Sequence, residues 1–211
     1  MNSFDERAST WDDDPAKLEQ AQFVAAAVRD VAALDGTQRL FEYGAGTALV
    51  SQALLGSVGS VTLVDTSAGM REVMLAKIAA GAIPGARVWD LDLQSAPAPD
   101  EQFDVVVTVL TMHHVQDVGA VLSRFAELLA DGGRLCIVDL EAEDGSFHGP
   151  GADVHHGFER AELADALTAA GFADVTFQAC HQIDRGGSSY PMFLAASVRP
   201  ARVTAAAAAT T

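Results

Sequence analysis

Apolar residues follow two periods that take turns along the chain, and this alternation sets the expected architecture. Leu18, Ala21, Ala25, Val28 and Ala32 recur at helical spacing behind Asp12-Asp13-Asp14-Pro15, an acidic cap with proline at the first helical position, so a long N-terminal helix is predicted. Past the Asp35-Gly36 break, Arg39 to Tyr43 reads as a short strand, a glycine turn follows, and Leu49 to Leu55 is helical. The unit then repeats. Ser60 to Asp65 is a β-branched run ending in an acid, and Met70, Val73, Met74 and Ile78 share one helix face up to Gly81. Arg87 to Trp89 is a short strand, and Phe103 to Val109 is apolar enough to be buried on both faces, as a central strand is. Val118, Val121, Leu122, Phe125, Leu128 and Leu129 return to the helical period, after which Asp131-Gly132-Gly133 turns the chain into a strand from Leu135 to Val138.

Residues 141–158, rich in Glu, Asp, Gly and His, have no period and read as an active-site loop or a long surface loop. A helix from Arg160 to Ala170 follows, with Leu163 and Leu167 one turn apart and Gly171 at its end. Two final strands, about 173–181 and 191–198, are separated by Arg185-Gly186-Gly187-Ser188-Ser189, too short for a crossover helix, so they are expected to pair antiparallel. The pattern implies an α/β fold: a doubly wound sheet, mainly parallel, covered on both faces, with one antiparallel strand near the C-terminus and ligands bound at the carboxyl ends of the strands. Residues 1–36 are expected to form a helical cap segment, 37–199 the ligand-binding domain, and 200–211 a disordered, alanine-rich tail.

Composition narrows the possible partners. A chain of 211 residues, 49% of them hydrophobic, can bury one substantial core. A formal charge of -16 repels phosphate backbones and argues against a nucleic-acid partner. The first residues lack the basic start and apolar run of a secretory signal, and no later apolar stretch is long enough to span a membrane, so the expected location is the cytoplasm. Cys136 and Cys180 stand far apart in apolar segments, which suits two buried thiols better than a disulfide framework or a zinc site.

The first strand-to-helix turn, Phe41-Glu42-Tyr43-Gly44-Ala45-Gly46-Thr47-Ala48, carries the clearest chemical signal. Gly44 and Gly46 let the backbone turn sharply against a ligand, and Glu42 projects from the strand end. A dinucleotide fingerprint would place glycine where Leu49 stands, and the Gly-Lys-Ser/Thr of a phosphate loop is absent, so a nicotinamide oxidoreductase is the weaker reading. From Phe4 to Ala196 the chain resembles the class I S-adenosylmethionine-dependent methyltransferases, whose first motif is an acid followed by alternating glycines, as in Glu42 to Gly46. The resemblance implies a Rossmann-like seven-stranded sheet and S-adenosylmethionine as methyl donor, leaving S-adenosylhomocysteine. It implies that Asp65 accepts hydrogen bonds from the ribose hydroxyls and that Thr66 to Met70 flank the adenosine. It further implies that an acid in Trp89-Asp90-Leu91-Asp92 meets the adenine amino group: Asp90 or Asp92, with Asp92 favoured. Leu91 and Leu110, beside these motifs, complete the cofactor set, and Met112-His113-His114-Val115 forms the substrate-facing turn. Where the family often has a third glycine this chain has Ala48, expected to tighten the turn without abolishing the site.

Methyl transfer from a sulfonium is an in-line displacement, so a general base is needed only where the acceptor must lose a proton. His113 and His155 are the candidates, with His155 expected to face the cleft and its neighbour His156 to be structural. The segment Phe4 to Trp11 and the loop from Glu141 to Phe158 are expected to close over the site. A metal site from His148, Asp153, His155 and His156 matches no strong ligand spacing, and no metal ligand is assigned. The expected partner is a small-molecule methyl acceptor, and the expected state a monomer or homodimer. The rival from another class is a sensor or partner subunit that binds S-adenosylmethionine or S-adenosylhomocysteine without catalysis.

Overall fold

The computed structural model describes residues 3–149 and 151–201, so nearly all of the expected tail lies outside the described residues. The chain opens with α1 (Ser3–Arg7), a 3-10 stretch (Ala8–Asp13) and α2 (Pro15–Ala32). Asp14 accepts a hydrogen bond from the Ala16 amide at 3.0 Å and Pro15 takes the first helical position, as the acid-proline pattern requires. Then follow β1 (Arg39–Tyr43), α3 (Leu49–Ala53), β2 (Ser60–Val64), α4 (Ala68–Ala79), β3 (Arg87–Trp89) and β4 (Phe103–Val109). A 3-10 turn (Met112–His114), α5 (Val118–Leu128), β5 (Leu129–Leu140), α6 (Arg160–Ala169), β6 (Ala173–Arg185) and β7 (Ser188–Val198) complete the order.

The seven strands form one sheet in the order β3-β2-β1-β4-β5-β7-β6. β7 runs antiparallel to both of its neighbours, while the pairs from β3 to β5 are parallel. Because side chains on a strand alternate between faces, successive residues feed two different cores. Leu40, Val105, Val107, Cys136 and Val138 pack with Val24, Val28, Met70 and Met74 on the side of α2 and α4. Phe41, Val106, Leu135 and Ile137 pack with Phe125 and Leu163 on the side of α5 and α6. Strand order reverses between β1 and β4, and the crevice at their carboxyl ends is where such sheets bind ligands.

Two connections differ from the sequence expectation. β5 starts at Leu129, directly after α5, with Asp131-Gly132-Gly133 inside the strand and a register shift between the Phe103 and Val105 pairings. Arg199 holds this irregular start: its guanidinium donates to the Leu129 carbonyl and to Asp131 at 2.9 Å, and backbone bonds join it to Gly132 and Gly133. The last two strands are also longer than predicted, because Gly186 and Gly187, at φ +61° and +85°, make a two-residue turn that lets Arg185 pair with Ser188. β5 ends opposite Met192, so the hairpin tip, residues 182–191, extends beyond the carboxyl edge of the sheet.

Candidate active site

The turn after β1 is shaped by three left-handed residues. At Gly44 (φ +69°) a side chain would collide with Thr111, whose hydroxyl lies 3.3 Å from the Gly44 carbonyl oxygen. At Gly46 (φ +56°) a side chain would point into open space, so here the bare backbone faces a region where a ligand can approach. Ala48 (φ +66°) is the third, and its methyl group in this conformation costs about 1–2 kcal/mol. That strain explains why glycine suits the position.

Acids ring this turn. Glu42 is buried and accepts hydrogen bonds from the Ser51 amide at 3.1 Å and from its hydroxyl. Burial pushes its carboxyl up to about 7 against those bonds, and the neighbouring Asp65 adds to the rise. Asp65, just past β2, accepts from the Gly46 and Ser67 amides, each at 2.8 Å, and burial raises its carboxyl too. Its oxygens retain lone pairs for ribose hydroxyls. The two candidates after β3 separate clearly: Asp90 is exposed and paired with Arg71 at 2.8 Å, whereas Asp92 caps the turn at Gln94 (2.9 Å) and lies 3.5 Å from the Tyr43 hydroxyl. Met70 is buried in the core, Thr66 is exposed, and Leu91 is half-buried.

Beyond β4 the chain reaches the other wall of the crevice. Leu110 is held at φ +50°, an unfavourable conformation for leucine, by its amide bond to the Val138 carbonyl at 2.8 Å. The 3-10 turn then buries His113, whose Nδ1 lies 2.6 Å from Asp139 of β5. Asp139 is fully buried and also accepts from the Leu140 amide at 2.8 Å and the His113 amide at 3.3 Å. With the carboxylate as acceptor, Nδ1 of His113 carries the proton and Nε2 is left with a lone pair. Asp139 was not among the sequence candidates. Its signal was present all the same, since Val138-Asp139 ends a buried strand in an acid just as Val64-Asp65 does.

The loop after β5 folds back on this wall. Glu141 and Phe158 form an isolated bridge, Glu143 bonds to the His156 carbonyl at 2.9 Å, and Gly157 (φ +69°) passes so close to the Glu141 carbonyl that a side chain would collide with it. The His155 amide donates to the His113 carbonyl at 2.8 Å, and His155 Nε2 lies 2.9 Å from the Val115 carbonyl, which makes it the donor. That ring therefore ties the loop to the 3-10 turn, and His156 is exposed. His148 is instead brought against His113 and His114, with ring centroids 5.0 and 5.2 Å away. Burial and the flanking imidazoles hold His114 down to about 4.

The N-terminal segment lies across the same edge. Asp5 accepts from the Ser67 hydroxyl at 2.6 Å and from Gly69, Asp12 from the Thr47 hydroxyl at 2.5 Å, and Lys77 pairs with Asp12. Phe4 stands edge-on to His114 at 5.4 Å. Among the described residues no helix is long and apolar enough to cross a membrane.

The seven strands carry the glycine turn and the strand-end acids in one sheet, and residues 41–137 match the family model described as a methyltransferase domain. An uncharacterized methyltransferase of Mycobacterium tuberculosis is 32% identical over 103 residues, 49% of this chain and 51% of that protein. The chain thus matches about half the length of such curated relatives. A putative methyltransferase of Haloferax volcanii, solved with the Trm112 methyltransferase activator, superposes with a TM-score of 0.75 at 17% identity over 95% of this chain and 99% of that one. The N-methyltransferase NodS of Bradyrhizobium japonicum, solved with S-adenosylhomocysteine, superposes with a TM-score of 0.67 at 16% identity over 84% of this chain and 86% of that one.

Proposed function

We propose that this protein transfers the methyl group of S-adenosylmethionine to a small-molecule acceptor whose reacting atom must lose a proton, acting in the cytoplasm as a monomer or homodimer. The observation that carries the reading is the buried His113–Asp139 pair on the wall of the crevice opposite the glycine turn. A protein that only senses the cofactor has no use for a buried imidazole whose lone pair is set by a carboxylate. The residues suit the donor, which brings an activated methyl on sulfur and a cationic amino group: Gly46 offers bare backbone beside open space, and Glu42, buried, and Asp65, half-buried, are acids whose carboxyls desolvation raises.

Each residue then has a physical task. Asp65 orients the ribose by accepting hydrogen bonds, Asp92 accepts from the adenine amino group, and Gly44, Gly46, Thr66, Met70, Leu91 and Leu110 shape the surrounding wall. His113 Nε2 takes the proton from the acceptor, and Asp139 holds the ring in the tautomer that allows it. His155 has Nε2 committed to Val115, which favours His113 for this role. The N-terminal segment and the 141–158 loop exclude water. Asp139→Asn, which offers Nδ1 a donor in place of an acceptor, should lower turnover by roughly 100-fold or more while S-adenosylhomocysteine affinity stays within about twofold. Calorimetry and an assay of radiolabelled methyl transfer over a panel of phenols, amines and carboxylic acids measure the two quantities. Unchanged turnover in the variant removes the base.

A further inference from the structure

The side chains of His113, His114 and His148 each offer a ring nitrogen, and these nitrogens all lie within 4.8 Å of one another. Two come from the 3-10 turn after β4 and the third from the loop after β5, 34 residues further along the chain, so the cluster is a product of the fold and not of a local repeat. We propose that these three imidazoles form a binding site for a first-row transition-metal ion, on the crevice wall opposite the glycine turn, sharing His113 with the proposed base and using none of the residues assigned to the cofactor.

Three observations carry it. First, His148 Nε2 is buried and meets no hydrogen-bond partner among the described residues. A buried polar nitrogen ordinarily finds one, as His155 does at the Val115 carbonyl, and an ion coordinated at that nitrogen would satisfy it. Second, the Asp139 carboxylate bonds to Nδ1 of His113, which leaves Nε2 as the ring nitrogen free to take an ion; a carboxylate behind a histidine is the usual backing for a metal ligand. Third, the rings pack tilted or edge-on against each other at 4.2 to 5.2 Å between centroids, with Phe4 and Phe147 as apolar cover. The charged groups facing the cluster are Asp139, Glu143 and Arg185. A carboxylate close by suits a cation, and Arg185 is exposed on the hairpin.

The donor set selects the ion. Three imidazole nitrogens with no thiolate suit Zn2+, Co2+, Ni2+ or Cu2+, while Mg2+ and Ca2+ require oxygen-rich sites. Nitrogens bound to one tetrahedral zinc stand about 3.4 Å apart, given Zn–N distances of about 2.0–2.1 Å. Closing from 4.8 Å asks for a shift of an ångström or two among the three rings. Three protein ligands leave one coordination position of a tetrahedral ion open. The ion uses the same His113 Nε2 as the proposed base, so metal-loaded and base-competent protein are alternative states.

The test needs no methyl acceptor. The full chain, stripped with a chelator, is titrated with Co2+ and Zn2+ by visible absorption and calorimetry, alongside His114→Ala, His148→Ala and, as a control outside the cluster, His156→Ala. One Co2+ per chain with the intense visible bands of a four-coordinate site, displaced by Zn2+, is expected. Affinity should fall at least tenfold in each cluster variant and stay unchanged in the control. Absence of stoichiometric binding, or equal binding by His148→Ala, overturns the site. S-adenosylhomocysteine affinity and far-ultraviolet circular dichroism, measured on the same samples, separate failure of this site from failure of the cofactor reading or of folding.

Discussion

Glu42 concentrates the electrostatics of the crevice in one carboxyl. Its folded value of about 7 lies above that of an unfolded glutamate, so the folded state holds the proton more tightly. The associated stability is fully present below the unfolded value of about 4.5 and is lost as pH rises through 7, a span worth of order 3 kcal/mol. Chemical denaturation from pH 5 to 8 should therefore show wild type losing stability relative to Glu42→Gln as pH rises. The cofactor's amino group reverses the preference: a nearby cation favours the ionised acid, so binding should release a proton and strengthen with pH across the same window. Calorimetry in buffers of different ionisation enthalpy reads the released proton, and a Glu42→Gln variant that still releases it would move the effect elsewhere. Asp65→Ala should weaken S-adenosylhomocysteine by roughly 1–3 kcal/mol, the usual loss for a hydrogen bond to a charged group. Both acids were legible in the sequence as strand-ending residues, whereas the rise of their carboxyls follows from burial first and from neighbouring acids second, Asp65 for Glu42 and Asp5 for Asp65, which the sequence does not record.

Among the elements, the loop after β5 departs furthest from what periodicity can predict. Among its described residues it forms no helix or named strand, yet backbone bonds from Ala142 and Glu143 to Phe158 and His156 tie its two ends together, and Gly157 permits the close pass. Gly157→Ala adds a methyl both to a left-handed residue and against the Glu141 carbonyl, a combination expected to cost about 2 kcal/mol or more. The loss should stay local: hydrogen exchange at the amides of Ala142, Glu143 and Phe158 should rise by an order of magnitude or more, with those of β1 and β4 unchanged. Uniform acceleration across the sheet would mean that the loop is coupled to global unfolding. The C-terminal hairpin shows a different miss, since Gly186-Gly187 at positive φ make the turn and Arg185, Ser188 and Ser189 of the expected loop become paired strand ends.

At the scale of the whole molecule, the fold places Glu42 and Asp65 on one wall of a crevice and an imidazole cluster on the other, with the N-terminal segment latched across the edge by Asp5 and Asp12. A ligand selective for this folded state raises its stability by mass action. S-adenosylhomocysteine at about 100 times its Kd should add about 2.7 kcal/mol, a Tm increase of roughly 5–10 °C in a thermal melt. No shift at millimolar concentration would remove the cofactor assignment. The sequence by itself determined the alternation of strand and helix, the antiparallel strand near the C-terminus, the glycine turn and the acids that end β1 and β2. All of these are set by spacing within a few residues of the chain. Only the tertiary structure decided that Asp92 and not Asp90 sits beside Tyr43, that Asp139 stands behind His113, that His155 ties down a loop, and that His148 joins His113 and His114. These pairings join residues 26 to 49 positions apart, and their partners are chosen by which strands become neighbours and how far each loop folds back.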